Sequence, residues 1–234
     1  ARVAVVTNVA SDHLGEYGVN TLPDLAQTKF AVARTLAANG VLVLNADDPI
    51  VVDEAINVTA AIWWFSLSVA TPQIIRARTL GQPCAYLKRG ELVFFDGTTE
   101  TYCGAIKDVP ITFFGAAKHN VRNALAALCA CTALGIPPDV IRVGLSGFTS
   151  DSKDNPGRFN EFHYNGARVF FDFAHNPHSI AAMCDALAQV PSARRFIMIS
   201  QPGDRSDQDI ADATTAALQF QPDLIVVAEI EGYL

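Results

Sequence analysis

The sequence predicts an α/β protein in two units, and three observations predict it. From Val3 to Phe65, short apolar runs alternate with stretches of helical period, which argues for parallel strands joined by helices. From Gln73 to Thr112, short runs are separated by turn residues, which argues for an antiparallel patch in a mixed sheet. "SGFTSDSKDNPG", Ser146 to Gly157, is polar and rich in turn formers, and strand–helix alternation resumes beyond it. Domains are drawn accordingly at 1–150 and 151–234, with the segment around Ser150 to Gly157 as a hinge.

Each element has its own justification. "VAVV" is a strand apolar enough to be covered on both faces, and it runs straight into the polar "TNVASDHLGEYG". A helix from Leu22 to Ala38 has Pro23 where a first turn tolerates it and Gly40 just past its end. "VLVLNADDP" is a strand ending in Asn45, Asp47 and Asp48, followed by a short helix and the strand "AAIWWF". The patch comprises "IIRART", "CAYLKRG", "ELVFFDG" and "TYCGAI", with "KRGE" and "DGTTE" as hairpin turns. "AAKHNVRNALAALCACTALG" is a helix closed by Gly135, and Pro137-Pro138 opens another that ends near Gly144. In the second unit "ARVFFDFAHNP" is a strand that breaks into a helix at Pro177. "RRFIMIS" is a strand, "GDRSDQDI" a loop entering a helix, and "PDLIVVAEI" a strand.

Composition narrows the function. Half of the 234 residues are hydrophobic, ample for a packed core. A net charge of -7 and a pI near 5.1 argue against nucleic acid as a partner. No apolar run reaches the roughly 18 residues of a membrane span. Five cysteines, an odd count without C-x-x-C, fit a reducing cytoplasm. Cys129 and Cys131, in an apolar helix, read as small buried hydrophobes.

Five clusters could carry chemistry. His13 follows Asp12 near a strand end, where α/β sheets gather ligands. Lys29 lies inside the first helix, where a lysine is ordinarily a snorkelling side chain. In "NADDP", Asp47 or Asp48 before Pro49 suits a helix N-cap, and Asn45 or Asp47 a site. In "HNVRNALAA", which opens on His119, Asn120 and Asn123 are three apart and share a face. They either cap the helix or read the edge of a base with their paired donors and acceptors. "DNPGRF" and "FFDFAHNPH" bring Arg158, Asp172, His175, Asn176 and His178 into one short span, where Arg158 suits a phosphate and Asp172 a ribose hydroxyl. "QPGDRSDQD" carries Asp204 and Arg205, as a salt-bridged turn or a substrate contact.

The order of these clusters is the specific signal. "TNVASDHL", "LAQTK", "LNADDP", "HNVRNALAA", "PGRF", "DFAHNP" and "GDRSD" resemble the blocks of the Mur ligase family, in that family's order and over almost the whole chain. "SDHLGEYG" leading to "DLAQTKFAVA" is most similar to the family's cyanophycin-synthetase branch; "PGRF" and "FDFAHNPH" also look like its folylpolyglutamate-synthetase branch. The resemblance implies part of a Mur ligase ATP-binding middle domain, followed by part of a Rossmann-like C-terminal domain.

It also implies an ATP-dependent amide ligase working through an acyl phosphate, in the cyanophycin branch joining arginine to an aspartate side chain. A peptidoglycan Mur ligase and a folylpolyglutamate synthetase are the alternatives within the class. A non-catalytic binding or scaffold module with the same fold is the alternative outside it. By resemblance ATP and Mg2+ are the cofactors, His13 and Lys29 the metal-site residues, and Lys29 a target of carbamylation by CO₂. Asn120 and Asn123 meet the adenine, while Arg158 and Asp172 meet phosphate and ribose. His175 is catalytic, and Asp204 and Arg205 lie near substrate. The partners implied are an amino acid, a carboxylate acceptor, optionally further copies of the chain in a homo-oligomer, and an upstream phosphate-loop segment. The family's G-x-x-x-x-G-K-[ST] loop precedes the first block, and no Gly-Lys pair occurs in these 234 residues. The expectation is therefore an interior fragment of a longer ligase.

Overall fold

A computed structural model describes residues 1–11, 14–15, 18–200 and 206–228. The chain forms two compact units, Ala1–Thr149 and Ser150–Leu234.

The first unit holds one six-stranded sheet with its strands in chain order: β1 (Val3–Val6), β2 (Val41–Asn45), β3 (Ala61–Ser66), β4 (Cys84–Lys88), β5 (Glu91–Phe95) and β6 (Glu100–Ala105). β1 to β4 run parallel, and β5 and β6 antiparallel. Strand alternation divides β2 between two cores. Val43 packs with Phe65, Ala85, Leu125 and Leu128, while Leu42 and Leu44 pack with Val6, Ala26, Phe30 and Val51. All three β2 residues are fully buried, each contributing about 1.5–3 kcal/mol of transfer free energy. This two-sided burial is why the strand reads as a continuous apolar run.

The connecting helices are α1 (Leu22–Phe30), α2 (Pro49–Glu54) and α3 (Pro72–Thr79). A capping box between Thr21 and Asp24 starts α1. The helix expected to reach Ala38 is α-helical only to Phe30 and continues as a 3-10 turn over Ala31–Thr35. β-branched Val32 and Thr35 weaken the α form there, and the Thr35 hydroxyl donates to the Val32 carbonyl at 2.7 Å, tightening the turn. "IIRART", expected among the short strands, lies instead in α3. Its buried residues, Ile74 and Ala77, have helical spacing, and Pro72 sits at its first turn.

The turn between β4 and β5 is Arg89-Gly90, both at positive φ as a tight hairpin needs. Helices α4 (Lys118–Ala133) and α5 (Pro138–Gly147) complete the unit. Burial pushes the Cys129 thiol upward and the Cys84 thiol to about 12, so both are inert.

The second unit contains a hairpin of β7 (Asn160–Tyr164) and β8 (Ala167–Phe171). It also contains α6 (Pro177–Ala188), β9 (Phe196–Ile199), α7 (Asp207–Leu218) and β10 (Leu224–Val227). β9 and β10 pair in parallel. Ile180 and Cys184 of α6 meet Ala213, Ala216 and Ala217 of α7, with Ile197 and Ile199 of β9 against them. β7 is not among the expected elements, although Asn165-Gly166, both at positive φ, marks its turn. Among the described residues, no helix is long and apolar enough to cross a membrane.

Candidate functional site

The carboxyl edge of β1 and β2 is built from backbone and small polar side chains. The Asn45 amide, 3% exposed, donates to the Thr7 carbonyl at 2.8 Å. One oxygen of the Asp48 carboxylate accepts the Ile50 and Val51 amides and so caps α2; the other accepts the Val9 amide at 2.9 Å. The cap reading of "NADDP" therefore belongs to Asp48, which also fixes the segment leaving β1.

Lys29 does not simply extend into water. It is half-buried in the last turn of α1, and its Nζ donates to the Asn8 carbonyl at 3.1 Å. This brings the ammonium to the strand end predicted to hold ligands. His13, the other residue expected here, lies outside the described residues, as do Asp204 and Arg205.

Asp47 has a role that the sequence did not disclose. Its carboxylate accepts the Ser66 hydroxyl at 2.6 Å, the Leu67 amide at 2.9 Å and Nε of Arg122 at 3.2 Å. It therefore ties the ends of β2 and β3 to the first turns of α4. Arg122 was not anticipated, since nothing local links two residues 75 positions apart.

Neither asparagine caps α4, whose N-cap is Ala117. Asn120 is buried, and its amide donates to the Ile111 carbonyl at 2.7 Å. Asn123, which is exposed, donates to Asn120 Oδ1 at 3.2 Å. The pair does share a face, as its spacing predicts. Asn120 is the inner support, and Asn123 the outward member.

In the second unit the backbone around Arg158 meets the Asp172–Phe173 segment. Asp172 Oδ2 accepts the amide of Phe159, next to Arg158, at 2.8 Å. The Arg158 guanidinium lies 5.7 Å from the ring centre of Phe173, next to Asp172. His175 Nδ1 is 2.9 Å from the Phe173 carbonyl. Asn176 forms a capping box with Ser179 at the start of α6, which accounts for it without a ligand. His178 is exposed.

The first unit thus presents Lys29, Asn120 and Asn123 near strand ends and a helix start, and the second presents Arg158, Asp172 and His175. Two family models match along the same division: one described as the Mur ligase middle domain over residues 1–131, the other as the Mur ligase, glutamate ligase domain over residues 157–231. The chain belongs to the Mur ligase family. It is 34% identical to the cyanophycin synthetase of Geminocystis herdmanii over 224 residues, which is 96% of this chain and 26% of that protein. It is 33% identical to the UDP-N-acetylmuramate–L-alanine ligase of Clavibacter sepedonicus over 206 residues, 86% of this chain and 38% of that protein. The chain thus spans about a quarter of the cyanophycin synthetases it matches.

Solved structures share the fold at lower identity. MurF from Acinetobacter baumannii aligns with a TM-score of 0.68 at 20% identity, over 97% of this chain and 46% of that one. E. coli FolC, solved with ADP, aligns with a TM-score of 0.68 at 23% identity, over 99% of this chain and 48% of that one.

Proposed function

We propose that this chain carries nucleotide- and phosphate-handling residues of an ATP-dependent amide ligase of the cyanophycin-synthetase type, joining arginine to an aspartate side-chain carboxylate. The observation that carries the reading is the similarity to cyanophycin synthetase along 96% of the chain. The bond from the Phe159 amide, next to Arg158, to Asp172, and that between Asn123 and Asn120, support it.

In such a reaction ATP phosphorylates the carboxylate, the amine attacks the acyl phosphate, and phosphate leaves. Asn123, supported by Asn120, would meet the adenine edge. Asp172 would accept from a ribose hydroxyl, and Arg158 would hold phosphate oxygens. By family resemblance alone, His175 and the Asp204-Arg205 pair would serve phosphate and substrate.

The metal assignment depends on the chemistry of Lys29. An ammonium repels a divalent cation, so Lys29 fits a magnesium site only as its CO₂ adduct, an anionic oxygen donor; His13 is joined to that site by the family resemblance alone. Magnesium, when bound, neutralises charge on the transferring phosphoryl group.

Two measurements test the reading. Saturation-transfer NMR of the chain with ADP should show adenine and ribose contact at millimolar concentration, lost in Asp172→Ala. No contact at that concentration would remove the nucleotide assignment. A ligation assay on the product of the complete gene, with ATP, Mg2+, arginine and an aspartate-bearing peptide, should form the amide. Incorporation of glutamate into a folate, or of alanine into UDP-N-acetylmuramate, would move the activity to the other branches.

A further inference from the structure

The segment around Ser150 to Gly157 reads as a hinge, yet one side chain closes residues 150–158 into a knot. Asn160, only 2% exposed, stands at the start of β7. Its Nδ2 donates to the carbonyls of Ser150 at 2.7 Å and Asn155 at 2.8 Å, with the Arg158 carbonyl at 3.4 Å. Its Oδ1 accepts the Gly157 amide at 2.7 Å. Two amide protons and one carbonyl oxygen thus serve four backbone groups spread over nine residues of loop, the long Arg158 contact sharing a proton.

The knot is braced from both sides. Asp151 Oδ1 accepts the amides of Lys153 and Asp154, and the Asn155 amide returns to the Asp151 carbonyl. The Phe173 amide donates to the Gly157 carbonyl at 2.8 Å, and the Phe159 amide donates to Asp172. Phe159 is held at φ 53, with its ring 1% exposed and 5.5 Å from Phe170. A bulky residue stays in that left-handed region only where its surroundings fix it.

We infer that Asn160 is a positioning residue: it locks residues 150–158 into the second unit and thereby fixes Arg158, whose guanidinium lies by Phe173 and whose next residue, Phe159, is tied to Asp172. The lock stands on the hydrogen bonds alone; the phosphate role of Arg158 rests on the proposed function. The side chain is chemically determined. Aspartate offers no donor and sets a carboxylate against two carbonyls, whereas alanine strands those carbonyls.

Hydrogen exchange on the whole chain tests the lock. In the native chain the amides of Gly157 and Phe159 should exchange as slowly as the β7–β8 hairpin. In Asn160→Asp they should exchange about tenfold faster or more, roughly the weight of one net hydrogen bond, while α6 and α7 keep their protection. Unchanged exchange at Gly157 and Phe159 overturns the inference. Should the variant unfold the unit, the native protein still decides by NMR. Slow-exchanging Nδ2 protons on Asn160 support the lock, and exchange at the free-amide rate refutes it.

The link to Arg158 has its own readouts. Order at Arg158 Nε, measured by ¹⁵N relaxation, should fall in Asn160→Asp, and any weakening of ADP binding should vanish in an Arg158→Ala background. A further loss of ADP affinity in that background would show that Asn160 does not act through Arg158. If the native chain binds no ADP, the phosphate role of Arg158 fails, and the exchange data judge the lock separately.

Discussion

Asn120 and Asn123 look alike in sequence and should behave oppositely when changed. Asn120→Ala strands the buried Ile111 carbonyl and removes the support of Asn123, which should cost about 1–3 kcal/mol. Asn123→Ala alters an exposed residue and should stay within about 0.5 kcal/mol. Both tryptophans, Trp63 and Trp64, lie in β3, so fluorescence-monitored urea unfolding reports on the first unit alone. Equal midpoints for the two variants would contradict the inner and outer roles. The same signal separates Asp47 from Arg122. Asp47→Ala strands the Leu67 amide and releases Ser66 and Arg122, for about 1–3 kcal/mol. Arg122→Ala removes one partly exposed partner and should cost no more than about 1 kcal/mol.

At the scale of elements, the far edge of the sheet carries a titratable cluster. Glu100 on β6 accepts from Lys88 and Tyr86 of β4 and from Arg78 of α3. The bond from Lys88, then that from Tyr86, lowers the Glu100 carboxyl below its usual 4.5. A depressed carboxyl contributes stability that is fully present above the unfolded value and is lost as pH falls through the folded one. The stability difference between the native chain and Glu100→Gln should therefore be constant above about pH 4.5 and shrink below it. Acid titration of urea midpoints checks this, and a difference unchanged down to pH 3 would contradict it.

The same edge shows why some elements were legible and others were not. β2 and β3 declare themselves because burial on both faces leaves no polar alternation to misread. "IIRART" was lost because six residues of mixed polarity fit either period, and Pro72, which decides for a helix, lies outside the run. The residues proposed to meet ligands fall in compact blocks and can be read in order. Asn160 and the Asp47–Arg122 pair act through backbone groups and long-range contacts, which no local pattern records.

For the molecule as a whole, the decisive question is whether these 234 residues can transfer a phosphoryl group by themselves. Such transfer depends almost wholly on positioning and charge stabilisation. In phosphate-loop enzymes a Gly-rich backbone and its lysine hold the phosphates, and the chain contains no Gly-Lys pair. Loss of one comparable donor typically costs about 10² to 10³ in rate, so loss of a whole loop costs far more. A nucleotide held without such phosphate donors should bind no better than at about millimolar affinity, roughly 4 kcal/mol. The purified chain should therefore release no phosphate from Mg-ATP above background, with or without arginine and an aspartate-bearing peptide. Calorimetry should likewise give no micromolar ATP isotherm. Steady turnover would mean that another segment of this sequence cradles the phosphates, and the first place to seek it is the polar stretch that follows Val6, toward which Lys29 already reaches.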